Sequence, residues 1–325
     1  MALKRKVSLN LGKNYVSIEA AFEEFIAEKE NAGIAPKTIR NYIQSFEFFI
    51  DFEFEGDTSK DINEVLKIYV EQWKASMMQE GKRITTINHY IRDVRTFLYW
   101  CMHEDRLYIE PAYKIDTVKG QKTLPKIFTD EEVEILIATP TNVKDWVEWR
   151  DWAITNWVVG TGNRAETVCE LKIGDIDFKN QQVVLRHTKT KDIQVIPLSH
   201  ALENVMRTYL RKCRSGCSNN DWLFPNISNE RLTYNALAHT FSKYCKSRGV
   251  EHTNIHGLRH YFGTSLARRN YSGEKIQKLL GHSTYTTTQN YISLVENDLK
   301  EDYATFNPLD TIKRGSTRRK TVTIK

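Results

Sequence analysis

The sequence lacks any long apolar run. Its apolar runs are short, such as Phe48-Phe49-Ile50 and Trp157-Val158-Val159, and none approaches the ~18 needed to cross a bilayer. The opening stretch Met1-Ala2-Leu3-Lys4-Arg5-Lys6 is charged, and no apolar segment follows it. That is not the pattern of a secretory signal, and the expectation is a cytoplasmic protein with no membrane partner. Cysteine is scarce: Cys101, Cys169, Cys213, Cys217 and Cys245 are all there are. An odd, scattered set argues for free thiols in a reducing compartment. Cys213 and Cys217 stand four apart, but no second Cys/His pair of matching spacing joins them, so no zinc site is expected. The chain also has no glycine-rich phosphate loop, no carboxylate cluster and no internal repeat.

What is present is ordinary soluble material. The 325 residues suffice for roughly two domains. A composition of 40% hydrophobic, 27% charged and 11% aromatic residues excludes disorder as the main theme. The net charge of +6 is unevenly placed. Residues 1–15 carry Lys4, Arg5, Lys6 and Lys13 and no acid, and residues 311–325 carry Lys313, Arg314, Arg318, Arg319, Lys320 and Lys325 and no acid. Setting those ten aside leaves 37 cations against 41 acids, so the body from 16 to 310 is −4. Basic ends suit a polyanion such as nucleic acid, although solvated tails would look the same.

Periodicity divides the chain. After a basic tail (1–14), residues 15–108 read as four helices. Ser17 caps the first, which carries Ile18, Phe22, Phe25 and Ile26 and closes at Gly33. Pro36 opens the second, with Ile39, Tyr42, Ile43, Phe46, Phe49 and Ile50 on one stripe. The third is predicted over Asn63–Glu80 with Val65, Ile68, Tyr69 and Trp73 inward, and the fourth over Thr85–His103. Residues 109–124 break the pattern with Pro111, Lys114, Lys119, Gly120 and Lys122, and read as an exposed basic linker. Residues 125–306 form the second region. Thr129-Asp130-Glu131-Glu132 is a helix start, and an apolar helix follows over Trp146–Val159. Leu171–Phe178, Val183–Leu185 and Val195–Leu198 then read as a three-stranded antiparallel sheet, with helices from Leu202 to about Tyr303. A second basic tail covers 307–325. The expected fold is mostly α with a small antiparallel β-sheet.

Five pieces of the second region can carry chemistry. They are Thr161-Gly162-Asn163-Arg164, the hairpin His187-Thr188-Lys189-Thr190-Lys191-Asp192, His256-Gly257-Leu258-Arg259-His260, Leu280-Gly281-His282-Ser283, and Tyr291, nine residues after His282. Singly each is commonplace: a helix-end Arg, a solvent-facing hairpin Lys, a half-buried Tyr.

Together and in this order they resemble the tyrosine recombinase (phage-integrase) family, as does Ile196-Pro197-Leu198, eight residues after Lys189. The resemblance extends over nearly the whole chain, the first helical region being similar to that family's core-binding domain. It implies a site-specific recombinase that cuts and rejoins double-stranded DNA through a 3′-phosphotyrosine, with neither ATP nor metal. It also implies a homotetramer on DNA, joined through a C-terminal helix expected over Glu296–Phe306. The chemistry accounts for the residue types. Arg164 and Arg259 fit the binding of the non-bridging oxygens of the pentacoordinate phosphorus. The resemblance implies that Tyr291 would attack, His256 would accept its proton, Lys189 would protonate the leaving 5′ oxygen, and His282 would hydrogen-bond a phosphate oxygen. Lys191 competes with Lys189 for its role, and register from Pro197 favours Lys189.

One position departs from the family. An acidic residue is usual three places after the first Arg, where this chain has Thr167, with Glu166 beside it. The departure leans the expected task toward integration and excision of a mobile element. Xer-type resolution of chromosome dimers and topoisomerase-like relaxation are the alternatives within this chemistry, and a DNA-binding regulator is the alternative outside it. With the helices starting near residue 15, no additional arm-site-binding domain is expected.

Overall fold

The computed structural model describes residues 16–65, 67–103, 114–120, 126–142, 145–186, 193–282 and 284–296. The chain divides into two compact units, Met1–Thr123 and Leu124–Lys325.

In the first unit the described residues form four α-helices: α1 (Ile18–Asn31), α2 (Pro36–Phe54), α3 (Lys67–Gln79) and α4 (Ile84–Cys101). The Ser17 hydroxyl accepts from Ala20 N at 3.1 Å and caps α1. Pro36 occupies the first turn of α2, where its missing N–H costs nothing. The core is strongly aromatic, with Phe22 stacked on Phe46 and edge-on to Phe97, and with Trp73 between Phe48 and Phe49.

Two expectations need correction here. The third helix begins at Lys67, after a short 3-10 turn over Ile62–Glu64, and its buried residues are Val70, Trp73 and Met77. Ile68 is off that 3–4–7 stripe and is 53% exposed. Of the basic linker, residues 114–120 are described, and they are not a free surface segment. Ile115 is fully buried in the first unit's core. Its N–H donates to the Tyr99 hydroxyl, and Val118 exchanges hydrogen bonds with the Asn88 side chain.

The second unit contains α5 (Asp130–Ile137), α6 (Trp146–Thr161), α7 (Ala165–Cys169), β1 (Ile176–Asp177), β2 (Gln182–Leu185), β3 (Gln194–Pro197), α8 (His200–Cys213), α9 (Tyr234–Ser247), α10 (Ile255–Arg268), α11 (Gly273–Leu280) and α12 (Tyr285–Glu296). Thr129 and Glu132 form a reciprocal capping box at α5. Helix α6 is buried on every side, with Trp149, Trp152, Ala153, Trp157 and Val158 all in the core, which makes it the central strut of this unit. The three strands are antiparallel in the order β1-β2-β3, with Val183 opposite Ile196 and Leu185 opposite Gln194. The first strand is shorter than expected because Ile173–Asp175 form a 3-10 turn. A small satellite core gathers Ala267, Ile276, Leu280 and Tyr291 from α10, α11 and α12. The helix expected after Glu296 and both basic tails lie outside the described residues. No helix among the described residues is long and apolar enough to cross a membrane.

Candidate active site

Two glycine-terminated helices set the frame. Helix α6 ends at Gly162, which has φ +64°, and α11 ends at Gly281, which has φ +61°. Both lie in the left-handed region that favours glycine. Space demands glycine as well: a Cβ at 162 would collide with Phe262 and stand 2.7 Å from Leu280.

The two arginines converge on these ends. Arg164 follows the α6 turn as the residue that precedes α7, and both Nη atoms donate to the Gly281 carbonyl at 3.3 Å. Arg259, on α10 and only 2% exposed, donates through Nη1 to the Gly162 carbonyl at 2.7 Å and through Nη2 to the Leu280 carbonyl at 2.9 Å. A guanidinium has five donors. Backbone acceptors fix its orientation without neutralising its charge. Burial, with Arg164 adding to it, pushes Arg259 down to about 10, and burial lowers Arg164 as well. A bound anion would relieve this crowding of positive charge.

The imidazoles and the phenol complete the arrangement. Asn254 caps α10 by accepting from His256 N at 3.0 Å, which starts the helix so that His256 and His260 share one face, one turn apart. Their rings are 4.8 Å apart, and His260 lies 5.5 Å from the Tyr291 ring. His282 stacks nearly parallel on Tyr291 at 5.9 Å. The His282 Nδ1 lies 2.9 Å from the hydroxyl of Thr288, which is fully buried, and this contact orients the ring. Burial first, then the neighbouring cations and imidazoles, push His256 and His282 down to about 4. Both are therefore neutral at pH 7 in the DNA-free protein. Tyr291 is 3% exposed. Burial raises its phenol, while the charge and hydrogen bond of Arg259 pull it back.

The structure thus brings together Arg164, His256, Arg259, His282 and Tyr291. Lys189 and its competitor Lys191 fall in 187–192, outside the described residues, between β2 and β3. Thr167 is buried in α7, and Arg164 is held by a carbonyl of the α11 turn. Two residues of the cluster had no role assigned in the sequence. His260 was visible in the motif itself, four residues after His256. Thr288 carries no sequence signal, because its partner becomes apparent only once α12 folds back beside His282.

Two crowded guanidiniums, imidazoles and a phenol gather around one helix end, on a mostly helical unit with a small three-stranded sheet. The phage integrase family model matches residues 126–297, and the chain belongs to that family. It is a tyrosine-type site-specific DNA recombinase. Tyrosine recombinase XerA of Pyrococcus furiosus is 30% identical, over 90% of this chain and 96% of its own length. Tyrosine recombinase XerD of Listeria monocytogenes serotype 4b is 27% identical, over 85% of this chain and 94% of its own. Among solved structures, the Tn1549 transposon integrase in complex with transposon right end DNA shares the fold, with a TM-score of 0.69 and 20% identity. That alignment covers 88% of this chain and all of the other.

Proposed function

We propose that Tyr291 is the nucleophile of a transesterification on double-stranded DNA. Its phenol oxygen attacks the scissile phosphorus, the bond to the 5′ oxygen breaks, and a 3′-phosphotyrosine and a free 5′ hydroxyl result. Attack by a 5′ hydroxyl from another strand reverses the step, so bond energy is conserved and no external energy source is needed. Arg164 and Arg259 take the non-bridging oxygens. Neutral His256 accepts the phenolic proton, with His260 beside it, and His282 holds a phosphate oxygen. Lys189 supplies the proton to the leaving oxygen. Each proton transfer is typically worth about 10²–10⁴-fold. The observation that carries this reading is the convergence of Arg164 and Arg259 on the carbonyls of residues 280 and 281, next to Tyr291.

On this reading residues 15–108 are a core DNA-binding domain, residues 125–306 are the catalytic domain, and four copies assemble on two recombination sites. The task is integration and excision of a mobile element, toward which Thr167 in the place of the usual acid leans. Resolution of chromosome dimers is the second reading, supported by Xer relatives aligned over 85–90% of this chain. The test is recombination between two duplexes carrying a site selected for tight binding. Strand exchange between them supports a recombinase, and relaxation of supercoils without exchange rejects it. Mapping the exchanged sites to element ends or to a chromosomal locus decides between the two tasks.

A further inference from the structure

We propose that Gln194, the first residue of β3, is a positioning residue for both arginines. The inference rests on the reading that Arg164 and Arg259 hold the scissile phosphate. The Gln194 Nε2 donates to the carbonyls of Lys278 at 2.6 Å and Leu279 at 3.2 Å. The next carbonyl along, Leu280, accepts from Arg259 at 2.9 Å, and the one after it, Gly281, accepts from Arg164 at 3.3 Å. Four consecutive carbonyls at the end of α11 are therefore shared among three side chains from three separate elements. A helix end leaves its last carbonyls without intrahelical partners. Here the turn's own backbone takes Gln277 and Lys278, through His282 N at 3.1 Å and Gly281 N at 3.2 Å, and the three side chains take Leu279, Leu280 and Gly281 and add a second bond to Lys278. The fit is close: a Cβ on Gly281 would stand 2.7 Å from the Gln194 Oε1, so the carboxamide lies directly against the turn.

The clasp is anchored at its other end. Gln194 pairs with Leu185 in the β2–β3 ladder, and two residues on Ile196 is buried in the main core. Gln194 thus ties α11, which packs in the satellite core, to a sheet fixed in the main core. Arg164 bonds to the Gly281 carbonyl, and Arg259 bonds to the carbonyls of Gly162 and Leu280 and to Tyr291, so each guanidinium is placed in part by the turn that ends α11. If the end of α11 shifts, Arg164 and Arg259 shift with it, and so does the entry to His282. Misplacement by about 1 Å can cost a reaction about 100-fold.

The experiment uses the full chain on a nicked duplex carrying its selected site, read as single-turnover formation of the covalent adduct. The scissile linkage is either the phosphodiester or an uncharged methylphosphonate, which leaves the arginines no charge to neutralise. Gln194→Leu is expected to lose roughly 10- to 100-fold on the phosphodiester, and most of that deficit should vanish on the methylphosphonate. Gln194→Arg keeps donors for the same carbonyls and suits a helix C-terminus, and is expected to stay near wild type. Gln194→Met serves in place of the leucine variant should that one unfold. Arg164→Ala, measured beside them, tests the underlying reading. If its deficit is the same on both linkages, the arginine reading fails and takes this proposal with it. If Arg164→Ala behaves as expected while the Gln194 variants match wild type, or lose equally on both linkages, the positioning role alone is overturned.

Discussion

Gly263 on α10 gives up its side chain to the ring of Tyr291 on α12: a Cβ there would stand 3.0 Å from three ring atoms. Gly263→Ala therefore separates stability from reaction. Alanine is favoured over glycine inside a helix by about 1 kcal/mol, and that gain opposes the cost of displacing the ring. The expected result is a thermal midpoint close to wild type, with adduct formation reduced by tenfold or more. A midpoint several degrees lower with the adduct rate unchanged would contradict this packing.

Thr288 holds the Nδ1 of His282 at 2.9 Å. Thr288→Val keeps the shape and removes the hydroxyl, so the ring loses the partner that fixes its tautomer. Adduct formation is expected to fall roughly tenfold while DNA affinity stays at the wild-type value, in line with the ~10²–10⁴-fold span of acid–base contributions. Thr288→Ser, which restores the hydroxyl, is expected to recover most of the rate. Equal losses in both variants would show that packing alone was disturbed.

The depressed imidazoles make the DNA-free protein acid-sensitive in a defined window. His256 and His282 sit at about 4 in the fold, against about 6.5 in the unfolded chain. The unfolded state thus takes up protons first as the pH falls. Stability is full above about pH 6.5 and is lost as the pH drops through about 4. The urea midpoint should decline between pH 6.5 and 4.5, and His256→Gln should make that decline shallower. An unchanged slope in the variant would place the titrating groups elsewhere. A bound phosphate brings negative charge to both rings and works in the opposite direction, so saturating DNA should also flatten the slope.

The positive excess of the sequence is confined to its two ends, and residues 311–325 hold six cations and no acid. Removing them is expected to weaken DNA binding and to reduce the slope of log affinity against log salt by as much as about 5. Adduct formation at saturating protein should survive. Its loss would place the tail in the catalytic machinery.

Much of the helical framework was legible because its signals are local. Ser17, Pro36, Thr129 and the turn glycines mark ends, and aromatic stripes mark inner faces. Ile68 was misread because apolar character alone does not fix the start of a helix. With α3 beginning at Lys67, the stripe that reaches the core is Val70, Trp73 and Met77. Five residues that the structure brings together, Arg164, His256, Arg259, His282 and Tyr291, were legible as an ordered set of residue types. How it is held together was not. Gln194 lies 84 residues before Lys278 in the chain, and Arg164 lies 117 before Gly281. Nothing local in the sequence signals a side chain that meets a backbone carbonyl over such separations. The short β1 has the same origin, since a 3-10 turn at Ile173–Asp175 is closed by hydrogen bonds from Ile173 and Gly174 to the distant residues Asp221 and Asn219.

The central claim is that Tyr291 forms the covalent bond to DNA. It is tested most directly by incubating the full chain with a nicked duplex of its selected site, from which the cleaved end diffuses away, and then resolving trapped adduct by denaturing electrophoresis and peptide mapping. The expected result is a 3′-phosphodiester on the peptide containing Tyr291, absent from Tyr291→Phe even though that variant binds the duplex as tightly as wild type. Adduct formation by Tyr291→Phe, or an adduct mapped to another residue, would contradict it.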